Sequence, residues 1–340
     1  MKKLRILALV HEELVPPDDV RGFDLAQVDW KMEYDVTATL RLLGHEVQVL
    51  GISDELTPIR TAMADRKPDI VVNLLESFGN VVAYDQNVVA YLELLRVPYS
   101  GCNPRGLLLA RDKALSKQLL SYHRIAVPEF IVIPLGRKMK RPKRLGFPLI
   151  VKSLTVDASI GISQASVVDD DERLHERVKF IHQKLGTDAI VEQYIDGREF
   201  YVGVLGNQRV QVLPVWELRF KSLPEGARHI ATERVKWSSK LQKAWGVTTG
   251  EAQDLPDGMG ERIRRICKRV YRVLWLSGYA RIDLRVDSNG TIYVLEANPN
   301  PQLAYGEDFA ESAEHAGITY GDLLQRIVNL GLSWRPDRLG

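Results

Sequence analysis

The segment RIDLRVDSNGTIYVLEAN, residues 281–298, constrains the fold of this chain more than any other stretch. Two strand-like runs flank Asn289-Gly290, which is the strongest short signal for a β-hairpin closed by a two-residue type I′ turn. Pairing outward from that turn places Val286 opposite Tyr293. A longer loop with an even number of residues would shift the partners but keep the faces, because side chains alternate with a period of two.

The same pairing gathers polar side chains at the open end of the hairpin. Asp283 faces Glu296, and Arg281 faces Asn298, so all four side chains share one face. Facing carboxylates repel each other, and burying them without a counter-charge is costly. Two carboxylates and one amide oxygen suit a hard cation such as Mg²⁺, which commonly holds phosphate oxygens in its remaining positions. The hairpin therefore predicts a magnesium–nucleotide site.

A second interpretation of the same residues needs no metal. Asp283 and Glu296 would then pair with Arg281 and Arg285, and the spacing alone leaves both interpretations open. The prolines in residues 298–301 favour the metal, because they hold the chain rigidly at the end of a strand, where ligand sites form.

Before residue 100 the chain alternates between strand-like and helix-like segments. Strands are predicted at residues 4–10, 45–50 and 69–75, and helices at residues 31–43 and 84–96. This order predicts an open α/β layer. The layer has no GxGxxG turn, so a dinucleotide site is not supported.

From residue 111 onward strands predominate. They are predicted at residues 130–134, 148–152, 189–194 and 200–205, with helices at residues 111–122, 261–276 and 320–330. A basic stretch, GRKMKRPKR at residues 136–144, separates the first two of these strands. Nucleic-acid binding is one interpretation of that stretch. A solvated hairpin connection is favoured, because no aromatic residues interleave with the charges.

The composition argues against several classes of partner. In 340 residues, 46 Lys and Arg against 44 Asp and Glu leave a net charge of +2, so no strong field points to nucleic acid or to a membrane. No apolar run reaches membrane-spanning length. Cys102 and Cys267 lie far apart without a CxxC spacing, which is typical of a reducing compartment. Because Arg5 interrupts the apolar start, we predict a strand there rather than a signal peptide, and a cytoplasmic protein.

The hairpin in its wider context, GYARIDLRVDSNGTIYVLEANPNP, resembles the metal-binding core of the ATP-grasp ligases, and GITYGDLLQRIVNL resembles the end of their D-alanine–D-alanine ligase branch. The resemblance begins near residue 70 and is weakest at residues 11–30 and 206–260. It implies an α/β, multi-domain α+β chain with the ATP-grasp fold. We expect an N-terminal open α/β domain at 1–102, a small central α+β lid at 103–190 and a C-terminal antiparallel-sheet domain with helices at 191–332.

The resemblance assigns residues to ATP. Lys113 and Lys152 match lysines that reach the phosphates, whereas Lys117 is predicted to be a solvated helix lysine. A lysine that ends an apolar strand, as Lys152 does, is in any case costly unless it meets an anion. The adenine hinge and the ribose position are matched by Glu192, Gln193, Tyr194, Ile195 and Glu199.

The metal ligands implied by the resemblance are Asp283, Glu296 and Asn298, with Mg²⁺ expected and Mn²⁺ as an alternative. Arg281 matches the arginine that clamps a carboxylate or the reacting centre, and its planar fork suits that task. Lys236, in ATERVKW, is a candidate for a lysine near the transferred phosphate.

Residues 152–161 align with the glycine- and serine-rich phosphate flap of the family. Asp157 and Ala158 stand where a glycine and a serine are expected, which makes the loop stiffer. Ser159 and Gly161 remain, so backbone N–H groups would still cover a phosphate, and Ser159 is a further catalytic candidate.

Other departures fall in the regions that face the substrate in the D-alanine–D-alanine ligase branch. The glycine-rich N-terminal turn and the His-Gly-x-x-Gly-Glu-Asp-Gly run are absent, and NLLESFG at residues 73–79 stands in place of the latter. The family's Pro-Gly-Met turn reads Asn300-Pro301-Gln302-Leu303 instead. The nucleotide machinery is therefore expected to carry over, but D-alanine as the substrate is not.

The predicted activity is an ATP-dependent carboxylate–amine ligase that acts through an acyl phosphate on an amino acid or a small peptide. Glu12 and Glu76 are candidates for binding a substrate ammonium group, with Arg281 nearby, and residues 220–252 for a mobile cover. A true D-alanine–D-alanine ligase, a regulatory protein without turnover and a small-molecule kinase remain alternatives. A homodimer is possible, and no nucleic-acid or membrane partner is expected.

Overall fold

The chain is described by a computed structural model that covers residues 2–155 and 161–336. Three β-sheets follow one another along the sequence, and helices pack against each of them. No helix within the described ranges combines the length and the apolar character needed to cross a bilayer.

The first sheet has three parallel strands in the order β2-β1-β3. Its strands are β1 (Arg5–His11), β2 (Glu46–Ile52) and β3 (Ile70–Asn73), and its helices are α1 (Lys31–Leu42), α2 (Thr57–Arg66) and α3 (Asp85–Leu94). All four residues of β3 are buried, as expected for a parallel strand covered on both faces. The predicted open α/β layer is present.

A pair of helices leads into the second sheet. They are α4 (Pro104–Arg111) and α5 (Lys113–Tyr122), where the sequence predicted one helix from residue 111. Asp112 separates them, because its side chain accepts hydrogen bonds from the backbone N–H groups of Ala114 and Leu115 and so caps α5.

The second sheet has four strands in the order β4-β7-β5-β6. The strands are β4 (Phe130–Ile133), β5 (Leu149–Ser153), β6 (Val167–Val168) and β7 (Ala189–Gln193), and α6 (Asp171–Phe180) packs beside them. Because β7 lies between β4 and β5, the basic stretch at residues 136–144 does not close a hairpin. That part of the prediction is wrong, although most of the stretch is exposed as expected.

The third sheet has five antiparallel strands in the order β10-β9-β8-β11-β12. The strands are β8 (Arg198–Gly206), β9 (Val210–Phe220), β10 (Val247–Glu251), β11 (Tyr279–Val286) and β12 (Ile292–Pro299). The helices of this part of the chain are α7 (Glu233–Trp237), α8 (Ser239–Trp245), α9 (Met259–Val273), α10 (Asp308–His315) and α11 (Tyr320–Ser333). The segment at residues 220–252, predicted only as a cover, thus contains two short helices and a strand paired with β9.

The β11–β12 hairpin differs from its prediction near the turn and agrees with it at the open end. Val286 pairs with Ile292 rather than with Tyr293, so the loop holds an odd number of residues and is not a two-residue turn. A β-bulge beyond Leu284 then shifts the register by one residue and restores the pairs Asp283–Glu296 and Arg281–Asn298. The predicted face therefore forms despite the wrong turn.

The carboxyl group of Glu33 is buried in the N-terminal part of the chain. Glu33 lies on the sheet-facing side of α1 and is 1% exposed. Neither of its carboxylate oxygens has a hydrogen-bond partner within the described residues. Burial raises the pKa of this carboxyl to about 7, and the charge of Glu76 adds to the shift.

This raised pKa predicts how stability depends on pH. The folded pKa lies above the unfolded value, so the contribution of the protonated carboxyl is complete at low pH and is lost as pH rises through about 7. Glu33→Gln escapes that loss, and we expect it to be more stable than the parent at pH 8 by up to about 3 kcal/mol. The advantage should shrink towards pH 5 in urea unfolding series.

Glu46→Gln, at an exposed glutamate of β2, is the matched control and should show no such trend. An advantage of Glu33→Gln that stays constant between pH 5 and pH 8 would show that the buried carboxyl does not titrate in this range.

Candidate active site

The four polar side chains predicted for the open end of the hairpin lie together on one face of the third sheet. Arg281 donates from Nε and Nη2 to the two oxygens of Asp283, at 2.7 and 2.9 Å. Asn298 donates from Nδ2 to Asp283 Oδ2 at 3.0 Å. Glu296 lies opposite Asp283 across the ladder, and the ammonium group of Lys113 is 3.4 Å from Glu296 Oε1.

Both interpretations of these acids find support in the contacts. The Arg281–Asp283 pair is present, as the interpretation without a metal requires, and Arg281 also lies over the ring of Tyr201. Arg285, however, pairs with Glu199, directly across the β8–β11 ladder, and not with Glu296. The sequence alone did not separate these pairings.

The donor set has the chemistry that a magnesium ion requires. No group of three or more His, Cys, Asp and Glu side chains suited to a metal occurs within the described residues, so a site here depends on the amide of Asn298. Turning that amide about its last bond would exchange the donor now aimed at Asp283 for the carbonyl oxygen. Asp283, Glu296 and Asn298 would then supply three oxygen ligands, which fits Mg²⁺ with phosphate in its other positions.

Lys117 is buried, and its prediction as a solvated lysine is wrong. It is 1% exposed and lies one helical turn after Lys113 on α5. Its ammonium group donates to the carbonyl oxygen of Leu295, the residue before Glu296, at 2.7 Å. It also lies 3.4 Å from Glu192 Oε1. The spacing of four residues from Lys113 was a signal that both lysines share one helix face.

The carboxylate of Glu192 contacts the ammonium groups of two lysines. Lys152, near the end of β5, donates to Glu192 Oε2 at 3.1 Å, whereas Lys117 lies beside the other oxygen, Oε1. Burial alone would raise the pKa of the Glu192 carboxyl, but the charges of Lys117 and Lys152 outweigh burial and hold the pKa below its usual range. Burial lowers the pKa of Lys117, and the charge of Glu192 opposes that shift.

A cleft between the second and third sheets connects these groups with the predicted hinge. It contains about 640 Å³ of space continuous with solvent, and its walls come from β5, β7, β8, β11 and β12. The predicted site residues that line it are Lys152, Glu192, Gln193, Tyr194, Ile195, Glu199, Asp283 and Glu296. The structure therefore brings most of the predicted nucleotide set into one place.

Glu199 is firmly held in this cleft. Its Oε2 accepts from Nε and Nη2 of Arg285, at 3.0 and 2.6 Å, and its Oε1 accepts from the hydroxyl of Tyr201 at 2.9 Å. Arg285 also donates to the carbonyl of Ile195 at 2.7 Å. These contacts fix the hinge relative to β8 and β11, and sequence reasoning had not given Arg285 or Tyr201 this role.

The predicted flap is described only in part. Asp157, Ala158 and Ser159 lie outside the described residues, and the side chain of Lys236, on α7, is likewise not described. Gly161 is described, and its backbone N–H donates to Glu233 Oε2 at 2.7 Å. The end of the flap therefore contacts the first turn of α7, inside the predicted cover.

The acids predicted to face a substrate lie near the first sheet. Glu76 follows β3, is exposed, and is close enough to Glu33 and Tyr279 to raise the pKa of both. Glu12 lies in the 3₁₀-helix Glu12–Leu14 directly after β1, where its backbone packs against Gly51 of β2. Sequence reasoning missed Glu33, whose signal was a charged residue on the apolar face of α1.

The exit from β12 is anchored by a residue that was also missed. Asn300 adopts a positive φ of 51°, and its Oδ1 accepts from the backbone N–H of Cys102 at 2.8 Å. Gly101 lies so close that an added Cβ would be 2.5 Å from Asn300 Oδ1. This contact holds the end of the strand that carries Glu296 and Asn298.

Comparisons with known proteins indicate the family of this chain. A family model described as D-ala D-ala ligase C-terminus matches residues 119–329. An uncharacterised protein of Sinorhizobium fredii is 33% identical, with 87% of this chain and 85% of that protein covered. A D-alanine–D-alanine ligase of Desulforudis audaxviator is 30% identical, with 87% of this chain and 90% of that protein covered.

A solved structure provides the corresponding likeness in three dimensions. The D-alanine–D-alanine ligase of Bacillus anthracis complexed with ATP matches with a TM-score of 0.75 at 23% identity, covering 96% of this chain and 97% of that chain. The predicted ATP-grasp fold is thereby confirmed. The predicted enzyme class, an ATP-dependent ligase that forms C–N bonds, is confirmed with it. Because the family model covers more than half of the chain and two relatives are at least 30% identical over most of it, the chain belongs to the D-alanine–D-alanine ligase family.

Proposed function

We propose that this chain joins a small-molecule carboxylate to an amine in an ATP- and Mg²⁺-dependent reaction that passes through an acyl phosphate. The observation that carries the proposal is the convergence of Lys152, Asp283 and Glu296 on one cleft, with Lys113 at 3.4 Å from Glu296. Cations and carboxylates in this arrangement suit a metal-bound polyphosphate, because the lysines meet its anionic oxygens directly.

The chemistry asks mainly for charge neutralisation and alignment. The substrate carboxylate attacks the γ-phosphorus of ATP, ADP leaves, and an acyl phosphate forms. The amine then attacks the acyl carbon, phosphate leaves with the bonding electrons, and the amine nitrogen loses a proton as the amide forms. Holding both substrates in line accounts for much of such a rate enhancement.

Each step has candidate residues in this chain. Lys113 and Lys152 grip the phosphates, and Arg281 steadies the negative charge that develops at the acyl carbon, with Ser159 and Lys236 as further candidates. Asp283, Glu296 and Asn298 would hold Mg²⁺, with Mn²⁺ as an alternative, and the ion would neutralise phosphate charge. In ATP, the adenine lies against the hinge at residues 192–195, and Glu199 binds the ribose hydroxyls.

For the substrate we propose an amino acid or a small peptide other than D-alanine. Residues 73–79 and 300–303, which differ from the family pattern, lie at the junction of the first and third sheets, where Asn300 contacts Cys102. Glu76 adds negative charge beside that junction, which favours a substrate with an ammonium group.

A true D-alanine–D-alanine ligase is the second candidate. It is favoured by the names of relatives such as the Desulforudis audaxviator protein, 30% identical, and a Bacillus anthracis protein, 28% identical.

Three further expectations stay predictions: the division into parts at residues 1–102, 103–190 and 191–332, the homodimer, and the absence of nucleic-acid partners. Strand β7 spans the second of these boundaries.

A panel of substrates tests the reaction class. Purified protein with ATP, Mg²⁺ and pairs drawn from amino acids and dipeptides should release phosphate only when both a carboxylate and an amine are present. Mass spectrometry should then find an amide product. A stable phosphorylated product would indicate a kinase, and neither product with any pair would support a regulatory protein. Turnover with D-alanine alone would favour the second candidate.

Removing one metal-ligand charge should stop the reaction without unfolding the chain. We expect Glu296→Gln to lower ADP formation by at least about a hundredfold, because a carboxylate that positions charge against the phosphates is lost. Glu314→Gln, at an exposed glutamate of α10, is the matched control. Circular dichroism checks the fold, and unchanged turnover in Glu296→Gln would remove this residue from the metal site.

The proposed ammonium subsite makes a separate prediction. We expect Glu76→Gln to raise the KM for the amine substrate by about tenfold, the usual effect of losing a charge-assisted hydrogen bond. The KM for ATP should not change, because Glu76 lies outside the cleft that holds the nucleotide. Equal changes in both KM values would instead point to a general disturbance of the N-terminal sheet.

A further inference from the structure

The ammonium group of Lys117, on α5, contacts both walls of the cleft. On one side it lies 3.4 Å from Glu192 Oε1, on β7 of the second sheet. On the other it donates to the carbonyl of Leu295 at 2.7 Å, on β12 of the third sheet. Lys117 is 1% exposed, so both contacts are shielded from water.

Glu192 has two counter-ions, but they differ in what else they face. Lys152 is 15% exposed at its side chain and lines the cleft, where a nucleotide's phosphates would draw it away. Lys117 is buried behind Glu192 and is not among the cleft-lining residues. Once Lys152 has turned towards a phosphate, Lys117 is the cation that remains beside the Glu192 carboxylate.

We propose that Lys117 sets the base specificity of the nucleotide site by holding Glu192 as an ionised hydrogen-bond acceptor. The inference rests on the proposed function, in which the hinge carrying Glu192 binds adenine. An ionised carboxylate only accepts hydrogen bonds, whereas a protonated one also donates. The charge state of Glu192 therefore decides which purine edge it matches.

The two common purines differ at the position that would meet Glu192. Adenine presents an amino group there, which donates, and guanine presents a carbonyl oxygen, which accepts. A carboxylate pairs with the first and repels the second. Without the positive charge of Lys117, burial favours the protonated carboxyl group. That group can both donate and accept a hydrogen bond, so the site would bind adenine and guanine with more nearly equal affinity. Lys117 is thus a positioning residue, since it acts through Glu192.

Nucleotide binding tests the inference without relying on turnover. Calorimetry would compare non-hydrolysable ATP and GTP analogues with Mg²⁺ on the parent protein, Lys117→Met and Gln118→Met. The last variant is the matched control, at an exposed residue of the same helix. We expect Lys117→Met to reduce the preference for the ATP analogue by at least about tenfold, while Gln118→Met retains it.

A double-mutant cycle separates specificity from packing. Glu192→Gln already offers both a donor and an acceptor, so adding Lys117→Met to it should change the base preference little further. If Lys117→Met weakens both analogues equally, or if its effect on preference is undiminished in the Glu192→Gln background, Lys117 serves packing only and the inference is overturned. Should Lys117→Met fail to fold, Glu192→Gln alone must lose the preference, or the inference is overturned.

The outcomes also distinguish this inference from the proposed function. Selective ATP-analogue binding that depends on Lys117, with no ligation in the substrate panel, would support the inference and overturn the ligase. If the Lys117→Met protein catalyses ligation and still prefers the ATP analogue as strongly as the parent does, the ligase is supported and the inference about Lys117 is overturned. A parent protein that binds neither analogue would overturn both.

Discussion

The buried ammonium group of Lys117 links the second sheet to the third across the cleft. It binds a carboxylate on β7 and a main-chain carbonyl on β12, in an interior where each of these groups would be costly without a partner. The carbonyl belongs to Leu295, beside the register shift that sets Glu296 opposite Asp283. Removing this one cation would thus disturb both the hinge and the strand that carries the acids.

Charge balance around this lysine explains why the cleft suits a polyphosphate. Lys113, Lys117 and Lys152 lie within 4 Å of Glu192 or Glu296, so three cations surround two carboxylates. On the neighbouring strands Arg281 and Arg285 are matched by Asp283 and Glu199. The positive charge of the lysines is therefore concentrated on the side formed by α5 and β5, where the phosphates are proposed to lie, and Asp283 and Glu296 face it from the third sheet.

Patterns of short period were readable in the sequence. The faces of the hairpin followed from alternation, and the open α/β layer followed from apolar runs separated by helices. The turn prediction failed because the loop holds an odd number of residues, and the predicted pairs at the open end form only because a bulge, which pairing rules do not anticipate, restores the register. The hairpin predicted across the basic stretch failed because β7, more than forty residues further on, inserts between β4 and β5. The roles of Ser159 and Lys236 remain predictions.

The sequence by itself determined that Arg281, Asp283, Glu296 and Asn298 share a face, since a strand's period of two leaves no other arrangement once the register is set. Motif order also indicated the family and its lysines. Only the tertiary structure decided that Lys117 is buried, that Glu192 lies between two lysines and that Glu199 pairs with Arg285. These contacts join residues up to 86 positions apart, and their partners are chosen by packing and by the cost of burying an unpaired charge.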